Sequence, residues 1–180
     1  MQASFGPPSR WPVGRSVDFE RIFRDVYPRL FRYLNRLTGS PETADDVAQE
    51  SFVRLLEKPL PEADAKRWLF AVATNLVRDQ ARAAKRKERL NLHPRLERSP
   101  APLPDELAAR GEAVAAVRRA LDAVPERDRT MLLMRAEGFR YAEIGEVVGV
   151  ATTSVGTLLA RATKRFAEVY QKEAAGDRTP

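Results

Sequence analysis

The residues of this chain best suited to chemistry are hydroxyls and cations set at helical intervals. Thr152, Thr153, Ser154 and Thr157 open a segment that continues through Arg161, Lys164 and Arg165. Thr153, Thr157, Arg161 and Lys164 share one side of a helix, opposite Val155, Leu159, Ala162 and Phe166. Hydroxyl and guanidinium groups on such a face meet base edges in a major groove and phosphates at its flanks. A second set, Arg67, Thr74, Arg78, Arg82, Lys85 and Arg89, falls in a narrow arc of another helical segment. This is the chemistry of recognition. With no cysteine and a single histidine, His93, thiol nucleophiles, disulfides and cysteine or multi-histidine metal centres are excluded. The sequence shows no nucleotide-binding glycine loop and no acid/base pair on a catalytic scaffold, so no cofactor, metal or catalytic residue is expected.

Charge divides along the chain. The 180 residues carry 31 Lys and Arg against 25 Asp and Glu, and the pI near 10.0 favours a polyanionic partner. Residues 42–64 hold seven acids and two bases, whereas residues 78–98, Arg86 among them, hold eight bases and three acids. The basic block suits phosphates. The acidic block repels DNA and suits a basic protein surface. Two blocks of opposite sign imply two different partners. No apolar run reaches the roughly 18–20 residues of a membrane span. The N-terminus lacks the apolar core of a signal peptide, so a soluble, cytoplasmic protein is expected.

These residues need helices to position them. Residues 1–15, with Pro7, Pro8 and Pro12, read as a disordered basic tail. Ser16 is placed to cap a helix carrying Phe19, Ile22, Phe23, Val26, Leu30, Leu34 and Leu37, with a kink or break expected at Pro28. Ser40-Pro41 opens a second helix to about Glu57. A third runs from about Asp64 to Leu90, with Leu69, Val72, Leu76, Gln80, Ala83 and Ala84 on its inner side. Pro94, Pro100, Pro102 and Pro104 then mark a linker. Further helices are expected at about 105–123 (apolar at Leu107, Val114, Val117 and Leu121), 125–137, 141–148 and 153–173. The expected fold is all-α: a first domain at 16–90, a linker at 91–108, a second domain at 109–173 and a tail at 174–180.

The last two helices form the strongest local signal. Ile144 and Val148 point inward on the first, Ala142 and Gly145 permit a close crossing, and Gly149 supplies a turn with positive φ. The pattern is a helix-turn-helix whose second helix carries the hydroxyl face. A plain helical hairpin with a solvated polar face is the alternative, which the glycine turn disfavours.

In this order the parts resemble a bacterial RNA polymerase sigma factor of the extracytoplasmic-function group, over residues 17–172. The similar stretches begin at Tyr27-Pro-Arg-Leu-Phe-Arg-Tyr-Leu, Ala44-Asp-Asp-Val-Ala-Gln-Glu-Ser-Phe, Trp68-Leu-Phe-Ala-Val-Ala-Thr-Asn-Leu-Val-Arg-Asp and Val124-Pro-Glu-Arg-Asp-Arg. The resemblance implies that Asp46, Gln49, Glu50 and Phe52 dock on the coiled coil of the polymerase β′ subunit, though Phe52 equally suits a core position. It implies that Arg67, Trp68, Thr74, Asn75, Arg78, Arg82, Lys85 and Arg86 engage the −10 promoter element. The 57–66 loop then receives a flipped base near Asn75. Trp68 suits either stacking on bases or a core role. Thr152, Thr153, Ser154, Thr157, Arg161, Lys164 and Arg165 are assigned to the −35 element. Implied partners are core RNA polymerase, through the β′ coiled coil and the β flap, promoter DNA, and an anti-sigma protein. The chain departs from the family at Gly156 and Leu158, where further basic residues are common, and at Arg140 and Ala151, where Ser or Thr caps are common. Thr152 or Thr153 is placed to supply the missing cap. Two other functions compete. An autonomous helix-turn-helix regulator would bind duplex alone and usually dimerise, and a recombinase would need a catalytic domain that the first half does not resemble.

Overall fold

The computed structural model describes residues 18–58, 60–90 and 105–176, and among these there is no strand. Helix α1 spans Phe19–Thr38, α2 Pro41–Leu56 and α3 Glu62–Leu90, followed by α4 Asp105–Asp122, α5 Glu126–Ala136, α6 Tyr141–Val148 and α7 Thr152–Gly176. The tail at 1–15, the Ser16 cap, residues 91–104 of the linker and residues 177–180 lie outside the described residues. Helix α4 begins at Asp105, so residues 105–108, read as linker, are helical. The 57–66 loop is shorter than expected, because α3 already starts at Glu62.

Local chemistry accounts for most boundaries. The Asp18 carboxylate accepts from the Arg21 amide at 3.0 Å and caps α1. Pro28 lies inside α1 without breaking it. A proline removes one amide from the ladder, and the buried stripe of Ile22, Val26, Leu30, Tyr33, Leu34 and Leu37 holds the helix through that gap. Gly39 closes α1 in the left-handed region at φ 80°. Ser40 then caps α2 by accepting from the Thr43 amide at 3.1 Å, with Pro41 in the first turn.

The first three helices bury Leu30, Tyr33, Leu34, Val47, Phe52, Leu69 and Phe70. Tyr33 is 1% exposed, and its hydroxyl lies 2.8 Å from that of Thr74, which in turn donates to the Phe70 carbonyl at 2.7 Å. Burial pushes the Tyr33 phenol up to about 12. The folded state therefore keeps a proton that the unfolded chain releases near pH 10. Stability is full below pH 10 and falls as pH rises towards 12, by on the order of 3 kcal/mol for this group. Chemical denaturation at pH 9, 10, 11 and 12 should show that fall. Tyr33→Phe should lessen it, the raised Tyr27 phenol leaving part of the fall, while costing about 1 kcal/mol at neutral pH for the lost hydrogen bond.

In the second half α5 and α7 pack through Met131, Met134, Val155, Leu159 and Ala162. Helix α4 differs from expectation. Its buried face is Ala116, Ala120 and Leu121, whereas Val114 and Val117 are 68% and 37% exposed. They line an open groove of about 650 Å³ shared with Arg32, Arg36 and Phe166. Gln80, Ala83 and Ala84, expected inside, are also exposed, because no described helix covers the far end of α3.

The two halves touch. Phe139, in the turn between α5 and α6, is 3% exposed and sits 4.8 Å from the ring of Phe70. Arg29 of α1 donates to the Glu137 carboxylate at 3.1 Å and to its carbonyl at 2.9 Å.

Candidate nucleic-acid interface

The helix-turn-helix is built on close approach. Gly149 terminates α6 at φ 74°, its amide donating to the Gly145 carbonyl at 2.9 Å. Gly145 is buried, and a Cβ there would stand 2.8 Å from the Val150 carbonyl oxygen. At the other end of α6 the Arg140 amide donates to the Glu143 carboxylate at 2.7 Å, which holds that carboxyl below the usual range. This is the half of a capping box that the third helical residue supplies; the half a Ser or Thr at position 140 would supply, accepting from the amides of the first turn, is not made by Arg140. Helix α7 starts at Thr152, with the Ser154 amide donating to the Ala151 carbonyl at 2.9 Å. Thr152 is therefore inside the first turn, not before it.

Thr152, Thr153, Ser154, Thr157, Arg161 and Lys164 are all exposed along α7, while Val155, Leu159 and Ala162 are buried beneath them. Arg165 is exposed as well, and it also donates to Asp128 at 2.6 Å, a carboxylate only 5% exposed, which ties α7 to α5.

On α3, Arg82, Lys85 and Arg86 are exposed, as is Asn75, and Arg67, Trp68 and Arg78 are half-buried. Thr74 corrects the expectation for this helix. It is 1% exposed and spends its hydroxyl on Tyr33 and the Phe70 carbonyl, so it faces the interior. A cavity of about 280 Å³ lies beside α3, lined by Leu60, Arg67, Trp68 and Asn75 from the first half and by Glu146 and Val147 from α6. These four first-half residues stand together around that cavity.

On α2, Asp46, Gln49 and Glu50 are exposed and share one side of the helix with Val53, an exposed apolar residue. Gln49 donates to Asp45 at 2.8 Å, and Arg54 donates to Glu50 at 2.8 Å. Phe52 lies elsewhere. At 3% exposed it is inside a ring cluster, 5.0 Å from Phe23 and 5.9 Å from both Phe19 and Tyr27. It supports the acidic strip from below. The Tyr27 hydroxyl donates to Asp45, and burial together with that carboxylate raises its phenol to about 12.

Sequence reasoning missed the contacts between halves. Arg67 donates to Glu146 at 2.9 Å and Arg78 to the Val147 carbonyl at 2.7 Å. Lys66 stands 4.9 Å from the centre of the Phe139 ring, its ammonium held below the usual range by burial and then by Arg29. These partners are far apart in sequence, and no periodicity joins them.

Two family models match the chain, Sigma-70 region 2 over residues 22–87 and Sigma-70, region 4 over residues 115–166. A relative described as ECF RNA polymerase sigma factor SigE, from Mycolicibacterium smegmatis, is 27% identical, the match covering 93% of this chain and 72% of that one. The ferric citrate uptake sigma factor FecI of Escherichia coli is 28% identical, over 83% of this chain and 88% of its own. Among solved structures, the sigma factor RpoE of Bartonella quintana, crystallised with the anti-sigma factor NepR, shares the fold with a TM-score of 0.68. That pair is 21% identical, with 86% of this chain and 97% of that chain covered. Helix order, both regional matches and the relatives agree: the chain belongs to the sigma-70 family of RNA polymerase sigma factors, in its extracytoplasmic-function group.

Proposed function

We propose that this chain divides promoter recognition among three exposed faces. The acidic strip of α2, through Asp46, Gln49 and Glu50, docks on a basic surface of core RNA polymerase, the β′ coiled coil. The cationic side of α3, through Arg67, Arg78, Arg82, Lys85 and Arg86, holds the −10 strands, with Trp68 and Asn75 beside the cavity that takes an unstacked base. The outer face of α7, from Thr152 to Lys164, reads the −35 element in a major groove. The β flap is the partner of the second half. The protein catalyses no covalent step, works in the cytoplasm alongside the polymerase, and is bound by an anti-sigma protein; the Bartonella quintana neighbour was crystallised in complex with one.

The observation that carries this reading is the separation of sign. Asp46 and Glu50 are exposed on α2, while Arg82, Lys85 and Arg86 are exposed on the adjoining α3. One small domain therefore offers one surface to protein and another to phosphate.

Run-off transcription tests it. Purified sigma-free core polymerase, the protein and sheared genomic fragments of its source should give transcripts with discrete 5′ ends that neither protein makes alone. Nanomolar binding to duplex by the protein alone, with no transcript when polymerase is added, would favour the autonomous regulator. In the same system, Arg82→Gln and Lys85→Gln should each lower the slope of log affinity against log salt for a single-stranded −10 oligonucleotide by about 0.7. An unchanged slope would remove those residues from the phosphate contact.

A further inference from the structure

Farther along α3 than Trp68, another cavity of about 290 Å³ opens where that helix faces the start of α5. Arg78, Arg82 and Lys85 line it from α3, at intervals of four and three residues that place them on one side of the helix. Arg127 joins them from α5, in the other half of the chain. One carboxylate enters the same space, that of Glu126, 3.9 Å from Arg78. Four cations therefore converge against a single acid. Ala81 and Val148 complete the wall with apolar surface.

Such a gathering is unfavourable unless something negative fills it. Like charges three and four positions apart destabilise a helix, and a concavity shields them from one another less than open water does. The acceptors already present offset little. Arg82 and Asp79 are 3.6 Å apart with side chains 72% and 71% exposed, a pair worth little in water. Arg127 stands 3.5 Å from Asp128, but Arg165 already claims that carboxylate at 2.6 Å. Arg78 donates to a neutral acceptor, the Val147 carbonyl, at 2.7 Å. The phosphates of a strand, spaced along its backbone, account for the row on α3 but not for Arg127 arriving from α5. Cations that converge from two helices suit a compact anion of high charge.

We propose that this cavity binds a diphosphate group, either free or at the end of a nucleotide, and that the bound anion competes with the −10 strands for Arg78, Arg82 and Lys85. Each of the three arginines presents a planar fork of N–H donors that matches a pair of phosphate oxygens, and Lys85 adds a point charge. Two phosphates joined through one bridging oxygen offer acceptors to all four groups. The wall of Ala81 and Val148 leaves a place for the sugar of a nucleotide. Glu126 opposes the anion and keeps the affinity moderate. The competition rests on the −10 assignment of α3; the binding does not.

Isothermal titration calorimetry on the full-length protein, in metal-free buffer at fixed ionic strength, tests the site with inorganic pyrophosphate, ADP and sulfate. We expect one pyrophosphate per chain, bound at least about tenfold tighter than sulfate. ADP at the same affinity or better identifies a nucleotide as the ligand, and ADP at lower affinity identifies the free anion. Arg127→Gln, at a position with no part in the DNA assignments, should weaken pyrophosphate about tenfold, the loss of one charge-assisted hydrogen bond. Glu126→Gln should tighten it severalfold by removing the opposing charge. Pyrophosphate no tighter than sulfate would overturn the site, since ionic screening alone would then explain the heat. So would pyrophosphate binding that Arg82→Gln abolishes and Arg127→Gln leaves intact, because the anion would then sit on the α3 row alone. Saturating pyrophosphate should also weaken binding of a fluorescent, A/T-rich single-stranded 12-mer about tenfold, and no change there would overturn the competition. The −10 reading fails differently: the 12-mer would bind neither the free protein nor its polymerase complex, while calorimetry still decides the cavity.

Discussion

The double reversal Asp46→Lys/Glu50→Lys is expected to weaken capture by core RNA polymerase at least about a hundredfold while leaving the fold intact. Both carboxylates are exposed on α2, and neither supports the core beneath. Removing an attractive pair and setting a like charge against a basic surface costs several kcal/mol, with each tenfold in affinity equal to about 1.4 kcal/mol. Arg54 sharpens the effect. It now shares its charge with Glu50 at 2.8 Å and would stand beside a lysine instead. The neutral pair Asp46→Asn/Glu50→Gln should fall between, near a tenfold loss, because it removes attraction without adding repulsion. Fluorescence competition against labelled wild-type protein measures the series, and circular dichroism should show the same helix content throughout. A flat series would take α2 out of the polymerase contact.

The second large effect is structural. Gly145→Val should unseat the helix-turn-helix, since its Cβ would lie 2.8 Å from the Val150 carbonyl oxygen and its methyl groups would press towards Val155 and Thr152. Backbone cannot yield as a flexible side chain does. Overpacking of this kind costs about 1–3 kcal/mol, and more where main chain must shift. At 3 kcal/mol the melting temperature of a chain this size falls by roughly 6–12 °C. Duplex −35 binding should be lost with it. Retention of both would mean that the α6–α7 crossing relaxes without loss.

Spacing alone revealed the helices, because each has a buried stripe that repeats at three and four residues. The helix-turn-helix was legible for a stronger reason. Gly149 needs a left-handed backbone and Gly145 an absent side chain, requirements that few other arrangements impose. Thr74 and Phe52 were harder. On a helical wheel Thr74 sits with the arginines, but Tyr33 arrives from another helix to claim its hydroxyl. Phe52 is drawn under the acidic strip by three aromatic neighbours on α1. Arg165 likewise shares a surface arc with Lys164, and only tertiary structure brings Asp128 to it. Val114 and Val117 carried an apolar pattern that the fold leaves uncovered. Pattern identifies which face is apolar; it does not say what lies against it.

The Phe139–Phe70 seat has a practical consequence for anyone who would study the halves separately. Severed at the proline-rich stretch, each fragment would carry an unclothed phenyl ring that the intact chain hides from water. Such pieces should be prone to clump, and a bulky polar replacement at Phe139 would serve a fragment of the C-terminal half better than the native ring.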